Sequence, residues 1–598
     1  MSIERLKKMT LIGLQKEKQT LLENLQNMGC MHLLSLRASE TVRKKMTLPR
    51  ADNAYKALRF IKDVSQRRKQ LVRDTSFDVE QQVQQILDLK QQLRDTTDHL
   101  EFLRHRCTAI EPWGDIEFPP LEELAGLRLW FYVLPLAKIK VLGSLALPWQ
   151  VVRKDHRFAY LVIIAKQEPA GNLLPVPRTH VGALSLGELR VQLADAEIQL
   201  EDLMAQRQAH TRYIYLLSIH LAEVDNMAAL DYAAQQTRDD DALVAIQGWV
   251  SINEFEAVET YARDSGLVCL IEDPDPSDNP PTLIEQPEQM DAGVDLALFY
   301  QVPGYQSWDP TLLLFASFSI FFAMILADAG YGLVLLAGLF SFWRKLGGTK
   351  KGSSYRLLAL SLFGCTVIYG VMVGSYFGIS PPSGSVLGQL HILNLRDFDN
   401  MMRLSIAIGV MHIGIANIMA AYVNRFKLFA LSKLGWISVI AGGLLLWLSE
   451  QASDWRSMGL LLLVSGIILI VLFSSERKLN KNSDYLRRIA EGLFNLKGLM
   501  NAFGDVLSYM RLFALGLASS SLAVTFNDLA KNVMETSPGL GLLAAILILV
   551  VGHLLNLGLT LMSGVVHGLR LNFIEFYNWG LSDEGIVFQK FAKKEVTL

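Results

Sequence analysis

Arg511 stands in the middle of the run GDVLSYMRLFALGLASSSLA, which is otherwise apolar enough to form a membrane helix. Arg at the centre of such a helix costs roughly 2.5 to 3.5 kcal/mol on insertion scales, and with a pKa above ~12 it cannot escape by losing its proton. Something must compensate such a residue. Further on, between Leu540 and Phe576, His553, Asn556, Thr560, Ser563, His567 and Arg570 recur at spacings of 3, 4, 3, 4 and 3. On a helix that spacing stacks all six on one face. At ~1.5 Å rise per residue the stripe is ~25 Å long, most of the ~30 Å hydrocarbon thickness. A wet or ion-conducting path fits that length. Taken singly, Thr560 or Ser563 fits equally well as hydrogen-bonding glue between helices.

The composition supplies the membrane. The chain has 598 residues, 51% of them hydrophobic, too many for one soluble domain and too apolar for several, so about half belongs in a bilayer. From Asp309 onward, apolar segments suit eight helices near 311–327, 329–343, 357–378, 403–424, 434–449, 457–475, 499–529 and 540–576. The second is short, and the last two exceed a spanning length and should tilt or project. Basic residues set the orientation. Arg344, Lys345, Lys350, Lys351 and Arg356 follow the second segment; Arg425, Lys427 and Lys433 follow the fourth; Arg477, Lys478, Lys481, Arg487, Arg488 and Lys497 follow the sixth. The even-numbered connections, and with them both termini, are expected on the cytoplasmic side.

Other polar residues in this half divide by position. Asp328 sits at a helix junction, where it would cap the following helix, and His412 and Asn417 read as packing groups. Asp505 is six residues before Arg511 and about 120° from it round the helix, placed to line an aqueous entrance. Ser508 and Glu575 join the candidate lining. Glu575, near the cytoplasmic end of the last segment, also reads as a surface or arginine-pairing carboxylate.

The first half, residues 1–300, alternates short apolar runs with helical patterns. MTLIGL, a helix through Leu21, Leu22, Leu25 and Met28, and MHLLSL read as strand, helix, strand. Leu127 to Pro135 and Phe158 to Ala165 bracket a helix-like segment near Ile139, and ALVAIQGWV, EFEAVETYARDSG and LVCLIED repeat the alternation. Two small α/β lobes follow, near 1–50 with 242–300 and near 110–183. Between them lie arms near 53–107 and 184–234. In the first, Val79, Val83, Ile86, Lys90, Leu93, Thr97 and Leu100 alternate spacings of 4 and 3, a heptad seam with two polar breaks; the second carries Leu189, Leu193, Ile198, Leu200, Leu203 and Tyr213. With a folded lobe between them, the arms should pair as an antiparallel coiled coil. Residues 301–598 then form the polytopic α-helical membrane domain.

Several functions are excluded on composition. A net charge of −2 gives no basic face for nucleic acid. Cys30, Cys107, Cys269 and Cys365 are scattered, without the pairing of a disulfide framework or zinc site, so neither metal nor cofactor is expected. The N-terminal MSIERLKKMTLIGLQKEK has no apolar run long enough for a signal peptide, and the chain lacks a GxxxxGK[ST] loop.

GDVLSYMRLFALGLA followed by HGLRLNFIEFY resembles the paired signature of the a subunit, also called subunit I, of rotary V-type and A-type ATPases. The order of a long soluble half and an eight-helix membrane half matches as well. Ser519 and Thr560 stand where eukaryotic members often carry His and Glu, and Asp505 with the GDVLSY run resembles the bacterial and archaeal branch, which implies a bacterial or archaeal cell membrane. The resemblance implies a non-catalytic stator subunit in which Arg511 faces the ion-carrying carboxylate of a rotating proteolipid ring. Arg570 and His567 would belong to the ion path. The implied partners are the ring, the peripheral-stalk stator subunits bound to the soluble half, and the ATP-hydrolysing head. The ion would be H⁺ or Na⁺. A secondary transporter would usually show two related membrane halves and has no use for coiled-coil arms, and a coiled-coil membrane tether has no use for Arg511.

Overall fold

The structure, a computed structural model, describes residues 3–36, 49–74, 77–115, 126–170, 174–182, 184–275, 278–382, 384–395, 397–449, 453–475, 482–536, 540–581 and 583–596. Of the basic residues assigned to loops, Arg477, Lys478 and Lys481 lie outside this set. The chain forms two compact units, one of Met1–Gln15, Cys30–Leu36 and Arg238–Phe591, the other of Lys16–Gly29, Arg37–Thr237 and Ala592–Leu598.

The second unit is built on helices. It holds α1 (Lys18–Met28), α2 (Pro49–Lys62), α3 (Val79–Ile110), α4 (Leu186–His210) and α5 (Ile214–Gln236). Asp78 starts α3 by accepting from the backbone N–H groups of Glu80 and Gln81, and Ser185 with Glu188 forms a reciprocal capping box on α4. The C-terminal end of α3 packs on the start of α4 through Leu103, Ile110, Leu186 and Leu189, so the arms run antiparallel. Nearer the other end, Val83 and Ile86 pack with Leu217 and Leu221 of α5. The seam differs from the heptad expectation. Val83, Ile86, Leu89, Thr96, Leu100 and Leu103 are buried while Lys90 and Thr97 are exposed, because a spacing of 3 after Ile86 shifts the phase by one residue. In the partner arm Ala196 is buried and Ile198 faces solvent. Between the arms a sheet of β3 (Arg128–Pro135), β4 (Trp149–Lys154), β5 (Phe158–Ala165) and β6 (Arg178–Thr179) runs antiparallel in the order β4-β5-β3-β6. Trp130, Tyr132, Leu134, Leu161 and Ile163 fill one of its faces.

The first unit holds the other sheet. Its strands are β1 (Leu6–Leu14), β2 (Met31–Leu34), β7 (Arg238–Asp240), β8 (Leu243–Ser251) and β9 (Val268–Glu272), with α6 (Phe255–Asp264) between the last two. The order is β2-β8-β1-β9 with β7 beside β8, and all pairings are antiparallel. Strands from the two ends of the first half therefore make one lobe. After α7 (Asp291–Tyr300), the membrane-type helices are α8 (Thr311–Leu326), α9 (Ala329–Ser341), α11 (Lys350–Val373), α13 (Phe398–Val423), α14 (Phe429–Leu448), α15 (Ser453–Phe473), α17 (Gly498–Ser508), α18 (Met510–Thr536) and α19 (Leu540–Arg570). Short α10 (Trp343–Leu346), α12 (Val386–Gln389) and α20 (Tyr577–Gly580) and the amphipathic α16 (Asn482–Asn495) lie among them. Among the described residues six helices are long and apolar enough to cross a membrane, and α8 and α9 are shorter apolar helices. The break between those two is at Ala327, with φ 50°, and Asp328. Asp328 caps α9 and is the centre of a buried knot, accepting from Tyr331 N, Ser375 Oγ, Phe377 N and Gly378 N at 3.1, 2.6, 3.0 and 3.0 Å.

Beyond α20 the chain returns to the sheet of the same unit. Thr282 N donates to Ile586 O (2.6 Å), Gln589 N to His32 Nδ1 (2.9 Å) and Phe591 N to Met31 O (2.8 Å), while Phe588 packs with Leu6 and Trp249. Nδ1 can accept only while the imidazole is neutral, and burial pushes its pKa below the ordinary value. A depressed pKa gives stability that is complete above the unfolded value of ~6.5 and lost as pH falls through the folded one. Amide exchange at Gln589, corrected for intrinsic rates, should accordingly stay constant above pH ~7 and speed up as the pH is lowered below ~6, and His32→Phe should exchange fast at every pH.

Candidate functional site

Two irregularities in neighbouring helices meet at Arg511. On one side the helix breaks at Tyr509, between α17 and α18. Tyr509 N bonds to Val506 O and Leu512 N to Tyr509 O, both i to i+3 contacts that tighten the turn immediately before the arginine. The Tyr509 ring is fully buried, packs edge-on against Phe321 and lies against Gly409, where a Cβ would come within 2.7 Å of it. Its hydroxyl is 2.8 Å from His412 Nδ1, and the His412 ring stacks on Phe576 at 4.2 Å. On the other side α19 passes at Arg570 into a π segment, Leu571–Phe576. Within it Glu575 comes to 3.9 Å from Arg511, Oε1 to Nη1, with side-chain exposures of 3% and 23%. Both Arg511 Nη1 and Glu575 Oε2 are buried without a hydrogen-bond partner.

The stripe on α19 divides in two. His553 Nδ1 lies 2.8 Å from Tyr331 Oη and its Nε2 lies 3.0 Å from Asn527 Oδ1. Asn556 Nδ2 donates to Tyr331 Oη and to Ser519 O, both at 3.0 Å, and Thr560 Oγ1 is 3.1 Å from Ser519 Oγ and 2.6 Å from Asn556 O. These three are tied into neighbouring helices. Toward Arg570 the stripe opens: Ser563 and His567 are part-exposed, His567 Nδ1 has no partner and Arg570 is exposed. Asp505, half-buried, accepts from Trp579 Nε1 (2.7 Å), and Ser508 Oγ bonds to Gly504 O within its own helix. Among the described residues no group of three or more His, Cys, Asp or Glu side chains is placed to hold a metal ion.

Several groups at this site carry no charge or spacing signal that singles them out in the sequence. Tyr331 and Asn527 complete the His553 network, and Tyr509 holds His412. Asn572 is fully buried, donates to Gly568 O (2.9 Å) and accepts from Ser317 Oγ (2.5 Å). The nearest hint for any of them is proximity, since Tyr509 and Asn572 each stand two residues from an arginine.

Fold and site together define a polytopic membrane protein with a large α/β and coiled-coil half and a part-buried arginine between its last two long helices. No protein-family model matches the chain. The chain resembles subunit I of V-type ATP synthases over nearly its whole length and that of A-type ATP synthases over about two thirds of it. The V-type ATP synthase subunit I of Borreliella burgdorferi is 24% identical over 99% of each chain. That of Chlamydia muridarum is 25% identical over 86% of this chain and 87% of its own. The A-type ATP synthase subunit I of Methanocaldococcus jannaschii is 29% identical over 64% of this chain and 59% of its own.

The Asp328 knot supports this site from the opposite end of the Tyr331 network. Asp328→Ala should strand three backbone N–H groups and a hydroxyl inside the bundle, each worth ~1–3 kcal/mol. The detergent-solubilised variant should lose its cooperative thermal transition or melt well below wild type, with Asp328→Asn in between.

Proposed function

We propose that this chain is the non-catalytic membrane stator subunit of a rotary V/A-type ATPase, passing H⁺ or Na⁺ to and from a rotating proteolipid ring while other subunits hydrolyse or make ATP. The observation that carries this reading is Arg511 itself, a permanent charge set in a membrane helix with an unpartnered Nη1. Each ring carboxylate would take up an ion from one half-channel and travel through lipid in neutral form. On meeting Arg511, Coulomb attraction favours the ionised carboxylate and expels the ion. The guanidinium also repels cations and so blocks a straight leak between the two half-channels. Asp505, Ser508, Ser563, His567, Arg570 and Glu575 would line the path near Arg511, with His553, Asn556 and Thr560 further along it.

In this assignment residues 301–598 translocate the ion and residues 1–300 bind the peripheral-stalk stators and resist torque. The protein sits in a bacterial or archaeal cell membrane with both termini in the cytoplasm. Support comes from similarity to subunit I of V-type and A-type ATP synthases across both halves, and from basic residues on the even-numbered connections.

The test is ATP-driven ion uptake into vesicles, normalised to assembled complex. Arg511→Gln should abolish uptake while leaving the complex assembled, because the cost of the buried charge leaves together with its function. Arg511→Lys should be badly impaired, since an ammonium is more strongly hydrated and lacks the planar fork. Near wild-type uptake in assembled Arg511→Gln particles would refute the assignment.

A further inference from the structure

An arginine that discharges a moving partner has a problem between visits. Whenever no ring carboxylate stands opposite, the guanidinium is left in hydrocarbon without an anion. The structure supplies one from within the chain, and the π segment is what puts it there. On a regular helix Glu575, five residues after Arg570, would be rotated about 140° from it, while position i+4 would share its face. A π turn inserts one extra residue, so Glu575 takes the place an i+4 residue would occupy and turns toward the Arg570 and Arg511 side. Asn572 fixes this bulge. Its amide nitrogen donates to Gly568 O one turn back, while its amide oxygen accepts from Ser317 Oγ of α8. The backbone irregularity is thus braced by two buried bonds, and its product is a nearly fully buried carboxylate facing Arg511.

The spacing matters as much as the pairing. At 3.9 Å the two groups attract but are not locked in the short, two-bonded fork of a strong arginine–carboxylate pair. One guanidinium nitrogen and one carboxylate oxygen remain without partners. We propose that Glu575 is the standing counter-ion of Arg511, holding the guanidinium between visits of the ring carboxylates and competing with each one as it arrives. This rests on the ring-facing role of Arg511. Glu575 lowers the cost of the empty state, and by competing for the guanidinium it weakens the hold on the ring carboxylate enough for rotation to continue.

The experiment uses the assembled complex in vesicles. Glu575→Gln is isosteric and keeps the packing, so a purely structural residue would tolerate it. As a counter-ion its loss should cut ATP-driven uptake about fivefold or more, with ATP hydrolysis by detergent-detached heads unchanged and with partial recovery in Glu575→Asp. Uptake in Glu575→Gln within about twofold of wild type would overturn the inference. Arg511→Gln distinguishes the levels: if it is inactive while Glu575→Gln works normally, only the counter-ion fails; if it transports, the ring-facing reading fails too. Should Glu575→Gln accumulate poorly, the double variant Arg511→Gln/Glu575→Gln decides. Recovered accumulation supports an unpaired charge as the fault, and no recovery assigns Glu575 to packing.

Discussion

A guanidinium cannot be neutralised by moving a proton, so everything near it in a low-dielectric interior must be arranged around a fixed positive charge. Much of the membrane half follows from this constraint. Arg511 lies where α18 begins, and α8 backs both long helices with a nearly continuous apolar surface through Phe318, Phe321, Phe322 and Ile325. The helices come together on small residues: Gly516 lies against Met324 O, and Gly564 and Gly568 lie against Phe322 and Phe318, where a Cβ would come within 2.6, 2.8 and 3.3 Å. The carboxylate that faces Arg511 comes from the π segment on the other helix.

The split of the α19 stripe has a physical meaning. His553, Asn556 and Thr560 have their hydrogen-bonding capacity taken up by Tyr331, Asn527 and Ser519. A satisfied network of this kind fixes the register of the helices along that part of the stripe. Beyond it, Arg511 Nη1, Glu575 Oε2 and His567 Nδ1 are left without partners. Folded proteins rarely leave buried polar atoms unpaired, and where they do so together the site is usually the one that works. The same helix face is therefore closed by hydrogen bonds over its first part and open over its last.

Much of the architecture was legible in the sequence, and the misses share a cause. Strand–helix–strand alternation and the antiparallel arms follow from period-2 and heptad patterns that survive in single segments. What could not be read is anything that depends on a change of phase. The spacing of 3 between Ile86 and Leu89 removes Lys90 and Thr97 from the seam, and no residue marks the shift. LNFIEF reads as two more turns of an apolar helix, yet it forms the π segment that decides where Glu575 points. The Tyr509 break is equally silent, since neither Gly nor Pro is present to announce it. Strand β4 was missed because Trp149–Lys154 sits at a sheet edge with its side chains mostly exposed, which erases the alternation. Asp328 was readable as a cap, but its three further donors come from around Ser375, nearly fifty residues away.

These silent features are also the ones that set the energetics of the site. A carboxylate and a guanidinium in contact inside a bilayer can each be held so firmly that separating them costs several kcal/mol, because both have already lost their water. A pair held that firmly would stop any motor that depended on one partner leaving. The opposite failure, a bare arginine, would cost the helix its place in the membrane. A distance of 3.9 Å lies between these limits. Backbone irregularities flank the pair on both sides: the tightened turn at Tyr509, packed against His412 and Gly409, and the widened one at Leu571–Phe576, braced through Asn572 and Ser317. Overwinding one helix and underwinding the other bring a carboxylate opposite the guanidinium without closing the pair into a short fork.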